Sequence, residues 1–198
     1  MKKIILSSVM ALSLFGSSVG TIIHADEVDT NVVQKTTGSV GFKAPDNPFT
    51  VVNDASTIDF GTQDIASNGK TYTATAGINS TVTDLRGIKS GWTLNVAQNG
   101  QLAQGSDKLE GAVLTLGAPS ITAGKATAGA AITLDPEGAS SVVMSAADVN
   151  AGRGISTAKL EAATLTTTDD TIQLAGTDDA NGYTTNLTWT LTDGVSNS

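Results

Sequence analysis

Two short stretches constrain this chain more than anything else in it. Gly91-Trp92-Thr93-Leu94-Asn95-Val96 and Tyr183-Thr184-Thr185-Asn186-Leu187-Thr188-Trp189-Thr190-Leu191 hold its only two tryptophans, each followed by Thr-Leu. Both alternate apolar and polar residues at period two, which is the pattern of a strand with one buried face. Trp92, Leu94 and Val96 fall on one face, opposite Thr93 and Asn95. Tyr183, Leu187, Trp189 and Leu191 share a face, with Thr185 as its polar member. A buried Trp or Tyr removes on the order of 200 Å² from water, worth up to ~5 kcal/mol at ~25 cal/mol/Å². Aromatics make up only 4% of the chain, so these few rings carry a large share of any core. The two stretches are therefore predicted to meet inside one β body.

The rest of the chain from Gly38 onward also reads as β: rich in Thr and Val, with short alternating runs punctuated by Gly, Asn and Asp. The pattern predicts strands at Gly38–Lys43, Phe49–Val52, Tyr72–Ala76, Trp92–Ala97, Ala112–Leu116, Ala131–Leu134, Ser141–Met144, Ala163–Thr166, Ile172–Leu174 and Asn186–Leu191. Turns are signalled at Pro45-Asp46-Asn47-Pro48, Asn68-Gly69, Asn99-Gly100, Asp135-Pro136-Glu137-Gly138 and Asn181-Gly182. Ala146–Val149 and Ser156–Ala162 carry helical-turn or short-helix composition. The expected fold is all-β: a single β-sandwich or barrel-like domain with one or two short helical turns.

The N-terminus has the three parts of a secretory signal peptide: basic Met1-Lys2-Lys3, an apolar uncharged run from Ile4 to Phe15, and Ile23-His24-Ala25 before the cleavage point. Ser17, Ser18 and Gly20 break the run short of the ~20 apolar residues that a membrane span needs. The expected organisation is a signal peptide over 1–25, a flexible leader over 26–37 and the β domain over 38–198. Cleavage takes Lys2 and Lys3 from the 11 basic residues, leaving nine against 19 acidic and a net charge of −10. That charge speaks against nucleic acid and against anionic lipid, both of which call for basic patches. No direct membrane insertion is expected. With no cysteine, neither a disulfide nor a lipid-bearing Cys is available. The C-terminal residues carry no hydrophobic tail or sorting motif, so retention, if any, is expected to be noncovalent.

At this point the motifs resemble those of a known family. Thr83-Asp84-Leu85-Arg86-Gly87 precedes Gly91-Trp92-Thr93-Leu94-Asn95-Val96, and Tyr183 precedes Leu187-Thr188-Trp189-Thr190-Leu191. Ile58-Asp59-Phe60-Gly61 and Gly38-Ser39-Val40-Gly41-Phe42 fit upstream segments. The set is similar to the WxL-domain cell-surface proteins of Gram-positive bacteria, over roughly Gly38 to Leu191. The resemblance implies a secreted protein held at the cell wall and cell surface by noncovalent association with peptidoglycan. It also implies a membrane-anchored WxL-interacting protein and other surface proteins as partners.

Six residues are candidates for binding: Trp92, Leu94, Trp189, Leu191, Asp84 and Arg86. The indoles offer flat apolar faces with a polar N–H at the edge, suited to sugar stacking or partner contact. Their Leu and Val companions point instead to inward strand faces, and the core reading is the stronger. Asp84 and Arg86, two apart, either contact a ligand beside Trp92 or pair to fix the Gly87–Gly91 turn, with the second reading slightly preferred. Asp169-Asp170 and Asp178-Asp179 fit no known calcium loop, and no metal or cofactor is expected. His24 leaves with the signal peptide, which removes His-dependent triads and the usual zinc sites. Many acids leave a glycosidase-type pair open, yet nothing marks one, and the expectation is a binding module rather than an enzyme. Its main rival is a subunit of a surface assembly retained by strand pairing with the WxL-interacting partner.

Overall fold

Alternating β-branched and aromatic residues build thirteen strands and one helical turn among the described residues, which are 36–174 and 182–194 of the computed structural model. The chain begins with β1 (Phe49–Asn53), β2 (Thr71–Thr73), β3 (Ile78–Asp84) and the long β4 (Ser90–Gln104). Next come β5 (Asp107–Lys108), β6 (Val113–Gly117), β7 (Ser120–Ala123), β8 (Thr127–Ala128) and β9 (Ile132–Thr133). β10 (Ser141–Asp148), the one-turn α1 (Val149–Gly152), β11 (Gly154–Leu160), β12 (Thr164–Thr166) and β13 (Thr184–Asp193) complete the order. The proposed signal peptide, most of the leader, Asp178-Asp179 and Asn181 lie outside the described residues.

The strands form three antiparallel sheets with the orders β1-β3-β11-β7, β13-β4-β10-β8 and β2-β12-β6-β9, with β5 paired to β4. No sheet closes into a barrel, and the molecule is an all-β sandwich. The two tryptophan stretches are neighbours: β13 runs antiparallel to β4, with Trp189 opposite Val96, Leu191 opposite Leu94 and Asp193 opposite Trp92. β4 is central, flanked by β13 and β10, whereas β13 is an edge strand.

All three sheets feed one core. β3 contributes Val82, β11 contributes Ala158 and Leu160, and β4 contributes Trp92, Leu94 and Val96. β10 adds Val143, Met144 and Ala146, β6 adds Leu114 and Leu116, and β9 adds Ile132. A smaller cluster of Tyr72, Leu102, Leu109, Ala112 and Leu165 sits beside it, with Phe60 and Tyr183 packed on its side. Ser80 and Ala158 face each other across β3 and β11, both fully buried. Small side chains here let the sheet lie close against the indole-bearing layer.

Several local expectations differ from the structure. Gly38–Lys43 is not a strand; it finds no pairing edge, and Val40 and Phe42 stand 75% and 94% exposed. Phe42 onward groups into one compact unit, separate from the residues before it. Ile172–Leu174 is not a strand either: Ile172 is exposed, Gln173 accepts from the Ala66 amide and the Leu174 amide donates to the Tyr183 hydroxyl. Ser156–Ala162 is strand rather than helix through Leu160, because Ser156, Ala158 and Leu160 alternate into the core and tertiary packing overrides their helical propensity. Asn99-Gly100 is a bulge rather than a turn. The four-residue step from Asn99 to Ala103 on β4 faces only the two-residue step from Asn186 to Thr184 on β13, with Gly100 at φ +86. The Gly100 carbonyl is held by the side chains of Gln98 (2.9 Å) and Thr185 (2.7 Å).

Candidate functional site

Trp92 and Leu94 are completely buried and offer no surface to a ligand. The indole Nε1 of Trp92 donates to the Gly152 carbonyl at 3.1 Å. That carbonyl is positioned by α1, whose N-cap Asp148 accepts from the Asn150 and Ala151 amides. A Cβ at Gly152 would stand 2.7 Å from the same Nε1, so the seat of the ring requires glycine.

Asp84 and Arg86 come together at the end of β3. Arg86 Nε and Nη2 donate to the two Asp84 carboxylate oxygens at 2.9 and 2.8 Å. The same guanidinium donates to the Gly91 carbonyl, reaches Asp193 Oδ1 on β13 at 2.7 Å, and lies 3.7 Å from the centre of the Phe49 ring on β1. Ser90 also donates to Asp193, and the Gly194 amide donates to Gly91. One arginine thus ties β1 and β3 of one sheet to β4 and β13 of another. The bidentate hydrogen bonds from Arg86 hold the Asp84 carboxyl below the usual carboxylate range, against its partial burial. Asp193 is also held low, first by Ser90 and then by Arg86. With side-chain exposures of 12% for Arg86 and 7% for Asp84, this is a structural clasp and presents little free charge to a ligand.

Trp189 and Leu191 are half-buried, packed on the edge of the core. Trp189 lines a groove of ≈ 540 Å³ on the β13 side of the sandwich. One wall is the inner face of β13 and its lead-in: Tyr183, Thr185, Leu187 and Trp189. The facing wall is the segment after β1, which brings Asn53, Ser56, Ile58 and Phe60. That segment is pinned at both ends, by Asp54 N–H to Asn79 O (3.0 Å) and Thr75 N–H to Asp59 O (2.8 Å). Among the described residues no charged side chain lines the groove. Two acids of the facing segment, Asp54 and Asp59, both accept hydrogen bonds from the chain. Asp54 accepts from the Asn79 amide and side-chain nitrogen, both at 2.7 Å, and Asp59 accepts from the Gly61 amide. The Asn79 hydrogen bonds lower the Asp54 pKa.

The structure therefore divides the six candidates: two in the core, two on the groove-side strand and two in the clasp. Ile58 and Phe60 were given by the resemblance alone, and Asn53, Ser56 and Thr185 carried no sequence signal as groove residues. The alternation of β13 does place Thr185 beside Trp189, and that was the one available clue. The Asp169-Asp170 turn binds protein rather than gathering ligands, since Asp169 Oδ1 accepts from the Gly69 amide at 2.6 Å. Among the described residues no helix is long and apolar enough to cross a membrane.

The family model described as WxL domain surface cell wall-binding matches residues 43–194 of this chain. No curated protein and no solved structure gives a significant match.

Proposed function

Because the chain belongs to the WxL domain family of surface cell wall-binding domains, we propose that it is an exported protein whose groove beside β13 holds it noncovalently to peptidoglycan. The observation that carries this reading is the chemistry of that groove. It pairs flat rings (Trp189, Tyr183 and Phe60) with uncharged amides and hydroxyls (Asn53, Ser56 and Thr185). Stacking plus neutral hydrogen bonding is how a surface grips carbohydrate without charge. The net charge, −8 for the full chain and −10 once Lys2 and Lys3 leave with the signal peptide, opposes long-range attraction to an anionic wall, so adhesion rests on these short-range contacts. The protein acts by binding, with no catalytic step.

The experiment is sedimentation of the purified protein with purified Gram-positive cell walls, wild type beside Trp189→Ala. Wild type is expected in the pellet and the variant in the supernatant, both folded by circular dichroism. Equal retention of a folded variant would refute the groove as the site.

A second reading has its own observation. Among the described residues β13 ends its sheet and β1 ends another, so each has one strand neighbour and an edge open to strand addition. Strand addition by a membrane-anchored WxL-interacting protein would retain the chain without sugar contact. Capture by that partner, with no affinity for bare walls, would favour it.

A further inference from the structure

The groove is selective about which part of peptidoglycan it can take. Peptidoglycan offers a neutral N-acetylated glycan strand and stem peptides that carry free carboxylates and amines. A site for the peptides needs countercharges, most simply an arginine or lysine facing each carboxylate. Among the described residues the groove lining has none. The arginine nearest in the motif set, Arg86, is committed to Asp84 and Asp193, and Lys70 lies over the Tyr72 ring. Asp54 accepts from Asn79 on β3 and Asp59 from the Gly61 amide, and neither is among the residues that line the groove.

What remains is a long apolar wall with polar points along it. On one face of β13, side chains project at every second residue. The run from Tyr183 through Thr185 and Leu187 to Trp189 thus extends about 20 Å at ~3.3–3.4 Å per residue. That is the length of several linked pyranose rings. A ring sits at each end of the run, with Thr185 and Asn53 between and opposite. The Thr185 hydroxyl donates to the Gly100 carbonyl and the Asn53 side-chain oxygen accepts from Ser80. A ligand therefore meets the Thr185 oxygen as an acceptor and the Asn53 amide nitrogen as a donor. Pyranose C–H faces stack on indole and phenol, while acetamido and hydroxyl groups take uncharged hydrogen bonds. The Tyr183 hydroxyl accepts from the Leu174 amide at 2.9 Å, which fixes the ring where it lines the groove.

We propose that this groove binds the N-acetylhexosamine glycan strand, lengthwise along β13, and does not read the stem peptides. The proposal rests on the peptidoglycan reading above and sharpens it. Affinity then depends on oligosaccharide length, because only a chain reaching both Tyr183 and Trp189 makes both stacks.

The test is a fluorescence and calorimetric titration of the full protein with chitin oligosaccharides from the disaccharide to the hexasaccharide. In parallel, the protein is sedimented with intact peptidoglycan and with glycan strands stripped of peptide by an amidase. Affinity is expected to rise at least tenfold from disaccharide to tetrasaccharide and then level off, and stripped strands should bind like intact material. Trp189→Leu, which keeps apolar packing and removes the flat ring, should weaken tetrasaccharide binding at least tenfold with the fold intact. Tyr183→Leu should abolish the length dependence and leave disaccharide binding. Intact peptidoglycan bound but stripped strands not bound would overturn the proposal and leave the peptidoglycan reading standing. No binding to either would overturn both. A flat affinity across oligosaccharide lengths would overturn the lengthwise geometry.

Discussion

Replacing Arg86 by Met is the sharpest test of the clasp. Methionine keeps an unbranched apolar stem over Phe49 and removes the guanidinium. Asp84, whose side chain is only 7% exposed, loses both of its Arg86 side-chain donors. An orphaned, nearly buried carboxylate costs about 3–5 kcal/mol when its partner is removed. Partial access to water and the remaining Arg86 amide bond (3.1 Å) put the expected loss near the lower limit, about 3 kcal/mol. The Asp193 contact adds little, because that side chain is 58% exposed. For a chain of this size the loss lowers Tm by roughly 6–12 °C. Urea unfolding followed by tryptophan emission measures it, with Asp84→Asn added as a second step. The neutral amide needs no countercharge, so the double variant is expected to recover at least about 1 kcal/mol. Acid dependence gives an independent check. Asp84 and Asp193 are both held below the ordinary carboxylate range. Their contribution is therefore present above about pH 4 and lost as pH falls through the lowered folded-state values. Wild-type stability should decline on acidification below pH 4, and the Arg86→Met variant should decline less. A loss under about 1 kcal/mol with an unchanged acid slope would mean the clasp is an ordinary solvated pair, and the reasoning fails.

Trp92→Ala should cost about 3–5 kcal/mol and leave much of the protein unfolded at 37 °C, whereas half-buried Trp189→Ala should cost roughly half that, both by chemical denaturation. Gly152→Ala pushes a methyl against the Trp92 indole and should cost about 1–3 kcal/mol, with a changed near-ultraviolet dichroism band from the displaced ring. Wall retention should survive moderate salt or improve, because screening within ~8 Å weakens the repulsion more than the contacts. It should also improve on mild acidification down to about pH 4, where the carboxylate clasp begins to fail; release at moderate salt would contradict this. Asp59→Ala frees the Gly61 amide and loosens the loop facing Trp189, so it should lower glycan affinity by several-fold in the titration above while changing Tm little.

Much of the architecture could be read from period-two alternation, because a half-buried strand writes its burial directly into sequence. β4 and β13 were legible as strands for this reason, and as meeting in one β body; that they pair directly came only from the fold. β11 was not. Ser156, Ala158 and Leu160 alternate inward, but small residues in the middle of a sheet have the composition of a helix. β3 was missed similarly, since Asn79, Ser80 and Thr81 look like loop until Ser80 is placed against Ala158. Gly38–Phe42 shows the reverse failure: its alternation is good, yet a pattern cannot supply the neighbouring strand that would make it a strand. The clasp was half legible. Asp84 and Arg86 announce a pair by spacing, but Asp193 and Phe49 join it only through the fold. The groove was the least legible part, since its walls are distant in sequence and its polar residues are ordinary threonines, serines and asparagines.

The same Trp-Thr-Leu tripeptide ends in opposite environments because of where each strand lies, not because of its own residues. β4 has β13 on one side and β10 on the other, so Trp92 is covered from all sides and its N–H must find the Gly152 carbonyl. β13 has one neighbour. Trp189 instead packs on the core on one side and lines the groove on the other. The segment opposite is held by hydrogen bonds from Asn79, Thr75 and Gly61 to Asp54 and Asp59. Leaving the indole half-buried forgoes part of its burial free energy, at ~25 cal/mol per Å². The buried tryptophan supplies the stability that lets the exposed one remain available.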